Sequence, residues 1–206
     1  MIKTIDYKTN PQLQQNVIQT AFSNWQRHGD LLFPPQRKIY EGIANYINGL
    51  KVIEYGCGIG IGSIVLAQVT EKLLSTDILK KHIGYAESLY PHLDFLQADL
   101  VHDIFSVEYE VAVAVELIEH IEHDEVALRN LLSSSEVWMS TPNKLAPGMG
   151  ENKPNNSFHV REYTPTELIK KMQPFLRDRV VTLYDPISFK PLGIETEVTP
   201  VVYYIK

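Results

Sequence analysis

Short apolar runs alternate with amphipathic stretches through the first two thirds of the chain. Residues 50–56, LKVIEYG, read as a buried strand that runs into a glycine-rich turn, and 62–70, GSIVLAQVT, carry apolar residues at helical spacing. The pattern then repeats, with KLLSTDI at 72–78 as a strand, HIGYAESLY at 82–90 as a helix and LDFLQADL at 93–100 as a strand. EVAVAVE at 110–116 is apolar on both faces, which predicts a strand at the centre of a parallel sheet. HDEVALRNLLSS at 123–134 is helical, and EVWMSTPN at 136–143 is a fifth strand. Strands alternating with helices in this way predict βαβ units and an α/β fold.

The pattern changes after residue 143. Residues 144–160 are rich in Asn, Pro and Gly and long enough to predict a functional loop or lid. Thr164 is placed to cap a helix over 165–173, with Pro165 at its first position and Glu167 three residues after the cap. Strands near 179–185 and 199–205 would form an antiparallel hairpin on the sheet edge. The first 48 residues read as a helical cover, whose aromatics Phe22, Trp25 and Phe33 are expected to pack as core. With no repeat and no linker, residues 1–206 are expected to form one domain.

Composition narrows the choices. A chain of 206 residues that is 44% hydrophobic and 21% charged can bury one sizeable core. Its single cysteine, Cys57, excludes an internal disulfide and fits a reducing compartment. No run approaches the roughly 20 apolar residues of a membrane span, and no segment resembles a signal peptide. A cytoplasmic protein is expected. The formal charge of −6 counts against a long nucleic-acid partner. The basic pairs Lys80-Lys81, Lys170-Lys171 and Arg177 with Arg179 read as solvated faces. No sequence feature fixes an oligomeric state.

The chemistry starts at Glu54-x-Gly56-x-Gly58-x-Gly60, at the end of the first predicted strand. Glycines there let the backbone turn sharply and approach a ligand closely. A dinucleotide-binding turn would need Gly-x-Gly-x-x-Gly, and Ile61 or Ser63 stands where its last glycine belongs. The spacing resembles instead the S-adenosylmethionine (SAM) loop of class I SAM-dependent methyltransferases. Two strand-end carboxylates fall in register with that resemblance: Asp77, where the family holds the ribose hydroxyls, and Asp99, where it contacts the adenine amino group. The resemblance implies a Rossmann-like, seven-stranded, mostly parallel sheet with helices on both faces and an antiparallel C-terminal strand. It also implies a cofactor-binding half at 49–143 and an acceptor side at 144–206. The implied cofactor-binding set is Glu54, Gly56, Cys57, Gly58, Gly60, Asp77, Ile78, Asp99, Leu100 and Glu116. Cys57 has no evident partner base and reads as a small loop residue rather than a nucleophile.

A second constellation follows the fourth strand. In VELIEHIEHD at 115–124, Glu116, Glu119 and His120 stand at i, i+3 and i+4, which a helical turn would gather on one side. Carboxylates suit Mg²⁺, and an added imidazole favours Mn²⁺, Fe²⁺ or Zn²⁺. With Ser-Thr-Pro-Asn at 140–143 and His159 four residues before Tyr163-Thr164, the pattern resembles two families. One is the small-RNA 3′-terminal 2′-O-methyltransferases; the other is the O-methyltransferases of ubiquinone biosynthesis. That resemblance implies a divalent ion, Mg²⁺ or Mn²⁺, held by Glu116, Glu119, His120 and His159. The competing reading has no metal: Glu119 caps a helix, while His120 and His159 serve as base or acceptor contacts. His123 reads as an exposed residue at a helix start, and Arg161 with Glu162 as a surface ion pair.

The leading expectation is SAM-dependent O-methylation of a small-molecule or glycan-like hydroxyl, with Glu119, His120 and His159 as catalytic residues. Two alternatives remain: metal-dependent 2′-O-methylation of an RNA end, and a catalytically silent SAM-binding subunit. N-methylation is disfavoured, because Ser140-Thr141-Pro142-Asn143 lacks the second proline and the aromatic residue of an Asn/Asp-Pro-Pro-Tyr motif.

Overall fold

Eight strands join in one sheet. They are β1 (Lys51–Tyr55), β2 (Lys72–Asp77), β3 (Asp94–Gln97), β4 (Val111–Val115), β5 (Glu136–Thr141), β6 (Val181–Tyr184), β7 (Pro191–Leu192) and β8 (Val201–Ile205), in the order β3-β2-β1-β4-β5-β8-β6-β7. The computed structural model describes residues 34–206 apart from 104, 106–107, 150–153 and 155. The expectations for residues 1–33, including Phe22, Trp25 and Phe33, and for part of the 144–160 loop lie outside the described residues. Neighbours from β3 to β5 pair in parallel, with Val52 opposite both Leu73 and Val111. The helices are α1 (Pro34–Ala44), α2 (Ser63–Ala67), α3 (Lys80–Leu89), α4 (Asp124–Leu131) and α5 (Pro165–Leu176). Among the described residues, no helix is long and apolar enough to cross a membrane.

Period-two alternation divides the core into two layers. Ile53, Ala112, Ala114, Val137, Met139 and Tyr203 face one side, where Leu128 of α4 and Leu168 and Met172 of α5 cover them. Val52, Val111, Val113, Trp138 and Val202 face the other, beneath Ile39 and Ile43 of α1 and Leu66 of α2. All five residues of β4 are buried, as its two-faced apolar run requires.

The terminal strands depart from the expected edge hairpin. β6 and β8 do pair antiparallel, with Val181 opposite Ile205. Yet β8 lies inside the sheet, between β5 and β6. Val201, Val202 and Tyr203 are fully buried, so this strand needs a neighbour on each side. The eighth strand, β7, adds two residues beyond the expected seven and occupies the edge. The turn leading to it is tied by Asp185, whose carboxylate accepts from the backbone N–H groups of Ile187 and Ser188.

At α5 the predicted cap is present in full. Thr164 Oγ1 accepts from the Glu167 N–H at 3.1 Å, and Glu167 Oε2 accepts from the Thr164 N–H at 2.8 Å. The helix runs past Pro174 to Leu176, three residues beyond the expected end. A proline this near the C-terminus interrupts little of the hydrogen-bond ladder.

Candidate functional site

Gly56, Gly58 and Gly60 all have positive φ, at 75°, 57° and 81°, so the loop leaving β1 needs glycine at alternate positions. A Cβ on Gly56 would meet Leu117 Cδ1 at 2.7 Å, and one on Gly60 would meet Phe95 Cζ at 2.8 Å. The loop is thus pressed between the residues that follow β4 and strand β3. Asp77, at the end of β2, braces it: Oδ2 accepts from the Gly58 N–H at 2.9 Å and Oδ1 from the Leu79 N–H at 2.8 Å. Oδ1 also has the buried His82 Nδ1 3.3 Å away, whereas Oδ2 keeps a second acceptor site of the kind a ribose hydroxyl needs. Asp99 organises the turn after β3, accepting from the Val101 N–H at 3.0 Å and lying 3.0 Å from His102 Nδ1. Ile78 is half-buried between these strand ends.

Three other residues expected at the cofactor are buried. Glu54 is fully buried, and its carboxylate accepts from Tyr40, Ser63 and Ser75 hydroxyls at 2.8, 2.6 and 2.8 Å. Burial raises its pKa against those bonds. It latches β1 to α1, α2 and β2 beneath the glycine loop. Leu100 packs in the core layer under α4 and α5. Cys57 is a buried free thiol whose pKa is pushed well up by burial, which agrees with a structural part in the loop.

Beyond β4 the chain turns through Glu116, at φ 52°, into a 3₁₀ turn over Ile118–His120. The ends of β5 grip the two glutamates separately. Ser140 Oγ donates to Glu116 Oε1 at 2.7 Å, and Thr141 Oγ1 donates to Glu119 Oε2 at 3.0 Å. Glu119 is fully buried, and its Oε1 has no hydrogen-bond partner among the described residues. Burial pushes the Glu119 carboxyl up to about 8 and Glu116 upward as well.

His159 arrives from the other side, where the Val160 N–H donates to the Glu119 carbonyl at 2.8 Å. The rings of His120 and His159 meet edge-on, with centroids 4.8 Å apart. One donor atom from each of Glu119, His120 and His159 lies within 4.8 Å of the others. Glu116, expected in the same set, is not part of this group and stays with Ser140. His120 Nδ1 lies 3.0 Å from the Phe158 carbonyl and must donate to it, so Nε2 holds the lone pair, 4.0 Å from Glu119 Oε1. Burial lowers the pKa of both imidazoles, and for His159 the neighbouring His120 adds to the effect.

Arg161 and Glu162 do not pair with each other. Arg161 Nη1 lies 2.5 Å from Asp124 Oδ2, a carboxylate that also holds Tyr163 Oη at 2.7 Å and Lys171 Nζ at 2.9 Å. Glu162 is buried against His159. The hydroxyls of Ser140 and Thr141 and the Asp124 node escaped the sequence reading, and Glu162 was given Arg161 as its partner in place of His159. The adjacent hydroxyls of Ser-Thr at the end of a buried strand were the one local signal for the first pair.

The described fold places these residues among known proteins. No family model matches the chain. Solved structures share its Rossmann-like fold. A TehB-like SAM-dependent methyltransferase from Corynebacterium glutamicum has TM-score 0.68 at 18% identity, covering 95% of this chain and 98% of the other. The magnesium protoporphyrin IX methyltransferase of Synechocystis, with bound SAH, has TM-score 0.63 at 16% identity, covering 94% and 97%. Curated relatives add sequence likeness. A probable SAM-dependent methyltransferase of Mycobacterium tuberculosis is 28% identical over 141 residues, 66% of this chain and 52% of its own. The ubiquinone biosynthesis O-methyltransferase of Rickettsia conorii is 26% identical over 102 residues, 48% of this chain and 35% of its own. The two relatives and two structural neighbours named here are thus methyltransferases, and the chain spans about half the length of the mycobacterial relatives it matches.

Proposed function

We propose that this chain is a SAM-dependent methyltransferase acting on a hydroxyl oxygen of a small-molecule or glycan-like acceptor. One observation carries the proposal: the glycine loop touches Leu117, and the turn beginning there brings Glu119 and His120 against His159. A cofactor cradle and a pair of imidazoles of lowered pKa therefore adjoin at the C-terminal ends of β1 and β4, the crevice that open α/β sheets use for ligands.

In this reading the Gly56–Gly60 loop admits the methionine end of SAM, Asp77 accepts from the ribose hydroxyls and Asp99 from the adenine amino group. Glu54 supports the loop from below. The acceptor oxygen attacks the methyl carbon as the carbon–sulfur bond breaks, and the bonding pair stays on sulfur to give S-adenosylhomocysteine (SAH). The hydroxyl proton passes to a lone-pair nitrogen of His120 or His159, both neutral at pH 7 because burial depresses them. The site's main contribution is alignment of the oxygen with the methyl group.

The donor set also fits a divalent ion. Glu119 offers a buried carboxylate oxygen with no hydrogen-bond partner among the described residues, and the two imidazoles supply nitrogen. Such an ion would bring neighbouring acceptor oxygens together and make a hydroxyl more acidic. Two nitrogens beside one carboxylate favour Mn²⁺ over Mg²⁺.

Calorimetric titration with SAH, with and without Mn²⁺, tests both parts on wild type and His159→Ala. SAH binding in both proteins, with Mn²⁺ binding lost in the variant, supports the cofactor site and the donor set. SAH binding without Mn²⁺ affinity in either leaves the imidazoles as bases. Absence of SAH binding to wild type would sink the methyltransferase reading.

A further inference from the structure

Glu162 stands where a surface ion pair with Arg161 was expected, but it is only 9% exposed and turns to His159. Its Oε1 lies 3.0 Å from His159 Nδ1. A carboxylate oxygen of this kind accepts, so the proton sits on Nδ1. The opposite edge of the ring imposes the matching condition. Asn156 Oδ1 accepts from the Phe158 N–H at 3.0 Å, which leaves its Nδ2 as the group 3.0 Å from His159 Nε2. That amide nitrogen donates, so Nε2 holds the lone pair.

This state runs against the intrinsic preference of a neutral histidine side chain, which in water favours the Nε2–H tautomer. Asn156 is exposed, and an acceptor hydroxyl or a cation could displace it. Glu162 is different. The other carboxylate oxygen, Oε2, is buried with no hydrogen-bond partner among the described residues, so desolvation of the group is offset chiefly by the bond to His159. Glu162 also adds to the upward push on the Glu119 carboxyl, which places it within electrostatic reach of the same centre.

We infer that Glu162 is a positioning residue that holds His159 in the Nδ1–H tautomer and so presents the Nε2 lone pair to a proton or a metal ion. The inference rests on the proposed role of His159. It adds a second carboxylate to the constellation, one that acts through the imidazole rather than on the substrate. A geometry of this kind, carboxylate to Nδ1–H with Nε2 working, fixes both the proton position and the ring plane.

Long-range ¹H–¹⁵N correlation spectra of the ¹⁵N-labelled full chain near pH 8, without cofactor or acceptor, read the tautomer directly. The His159 signals are identified by their loss in His159→Ala. Wild type should show protonated Nδ1 and unprotonated Nε2. Glu162→Ala should move the ratio toward Nε2–H by about tenfold or more, the worth of a charge-assisted hydrogen bond. Glu162→Gln, which keeps an acceptor but not the charge, should move it less. A wild-type protein already in the Nε2–H form, or an unchanged ratio in folded Glu162→Ala, would overturn the inference. If Glu162→Ala does not fold, Glu162→Gln decides: a shift in the same direction supports the inference and an unchanged ratio overturns it. SAH titration of the same wild-type sample tests the cofactor reading separately, since the tautomer is measured without it.

Discussion

A Gly56→Ala substitution would place a Cβ at φ 75° and 2.7 Å from Leu117 Cδ1, combining left-handed strain with a clash against the turn that leads to Glu119 and His120. The backbone strain alone is worth about 1–2 kcal/mol. Gly56→Ala is therefore expected to lower the melting temperature and to weaken SAH binding about tenfold or more; unchanged SAH affinity would detach the loop from the cofactor. The imidazoles make a second prediction at this scale. Burial sets the folded-state pKa values of His120 and His159 below the ordinary 6.5. The stability they contribute is fully present above that value and is lost as pH falls from it through the folded-state values. If neutral imidazole is the working form, the acidic limb of kcat/KM lies below 6.5, and a limb above it would exclude both histidines as the group reported. The positions of the glycines, Asp77 and Asp99 after strand ends, and of His159 near His120, were legible in sequence because each follows a strand end or a fixed spacing. Glu162 was not, because its partner is set by the turn at Asn156–His159 rather than by any periodicity. Glu54 was placed at the ligand for the same reason in reverse: spacing shows where a residue lies along the chain, but only packing shows the three hydroxyls that occupy it.

Among the elements, α4 and α5 are joined through one side chain. Asp124, in the first turn of α4, takes Lys171 from α5 together with Arg161 and Tyr163 from the segment that carries His159 and Glu162. Burial alone would raise this carboxyl, but Arg161, Tyr163 and Lys171 together hold it below 3.8. With its folded-state pKa depressed, the contribution of Asp124 is present above the ordinary carboxylate range and is lost as pH falls through the folded-state value. Asp124→Asn should cost about 1–3 kcal/mol at neutral pH, and its stability should fall less steeply than that of wild type between about pH 5 and 2. Urea unfolding across that range measures both, and parallel curves would show that the node does not drive acid unfolding. No periodicity marks this node, since its members lie on three separate stretches of the chain. It did show the elements themselves: β1, β2, β4 and β5 fall within two residues of expectation, because each is a buried run cut off by polar or glycine residues. The edge was harder. Whether 201–205 sits inside or outside its hairpin partner depends on what covers its two faces, and a five-residue apolar run looks the same in either place.

Across the whole molecule, the segment after β6 closes the far side of the sheet over α1. The turn braced by Asp185 carries Phe189, at φ 51°, onto Gly42 of α1 and into a cluster with Tyr46, Trp138 and Tyr184. A helix-interior glycine ordinarily costs stability, and replacing it with alanine adds roughly 0.5–1 kcal/mol. Here the sign should reverse, because a Cβ on Gly42 would fall 1.8 Å from Phe189 Cε2. Two substitutions then separate propensity from packing. Gly42→Ala alone should destabilise by displacing the ring, and Phe189→Ala alone by about 1–3 kcal/mol as the half-buried ring is lost. Combined, they should be less damaging than their sum, since alanine at 42 is free to act as a better helix former once the ring is gone. Chemical denaturation of the four proteins closes the cycle. Strict additivity would mean that Phe189 does not seat on α1, and that residues 185–200, which resemble no assignable motif, are held by their other bonds, such as those Asn143 Nδ2 donates to the Thr196 and Val198 carbonyls. Coupling of about 1 kcal/mol or more would show that this segment clamps the cover helix to the sheet. Tyr40 of the same helix reaches Glu54 beneath the glycine loop, so the clamp would also steady the floor of that loop from the opposite end of the chain.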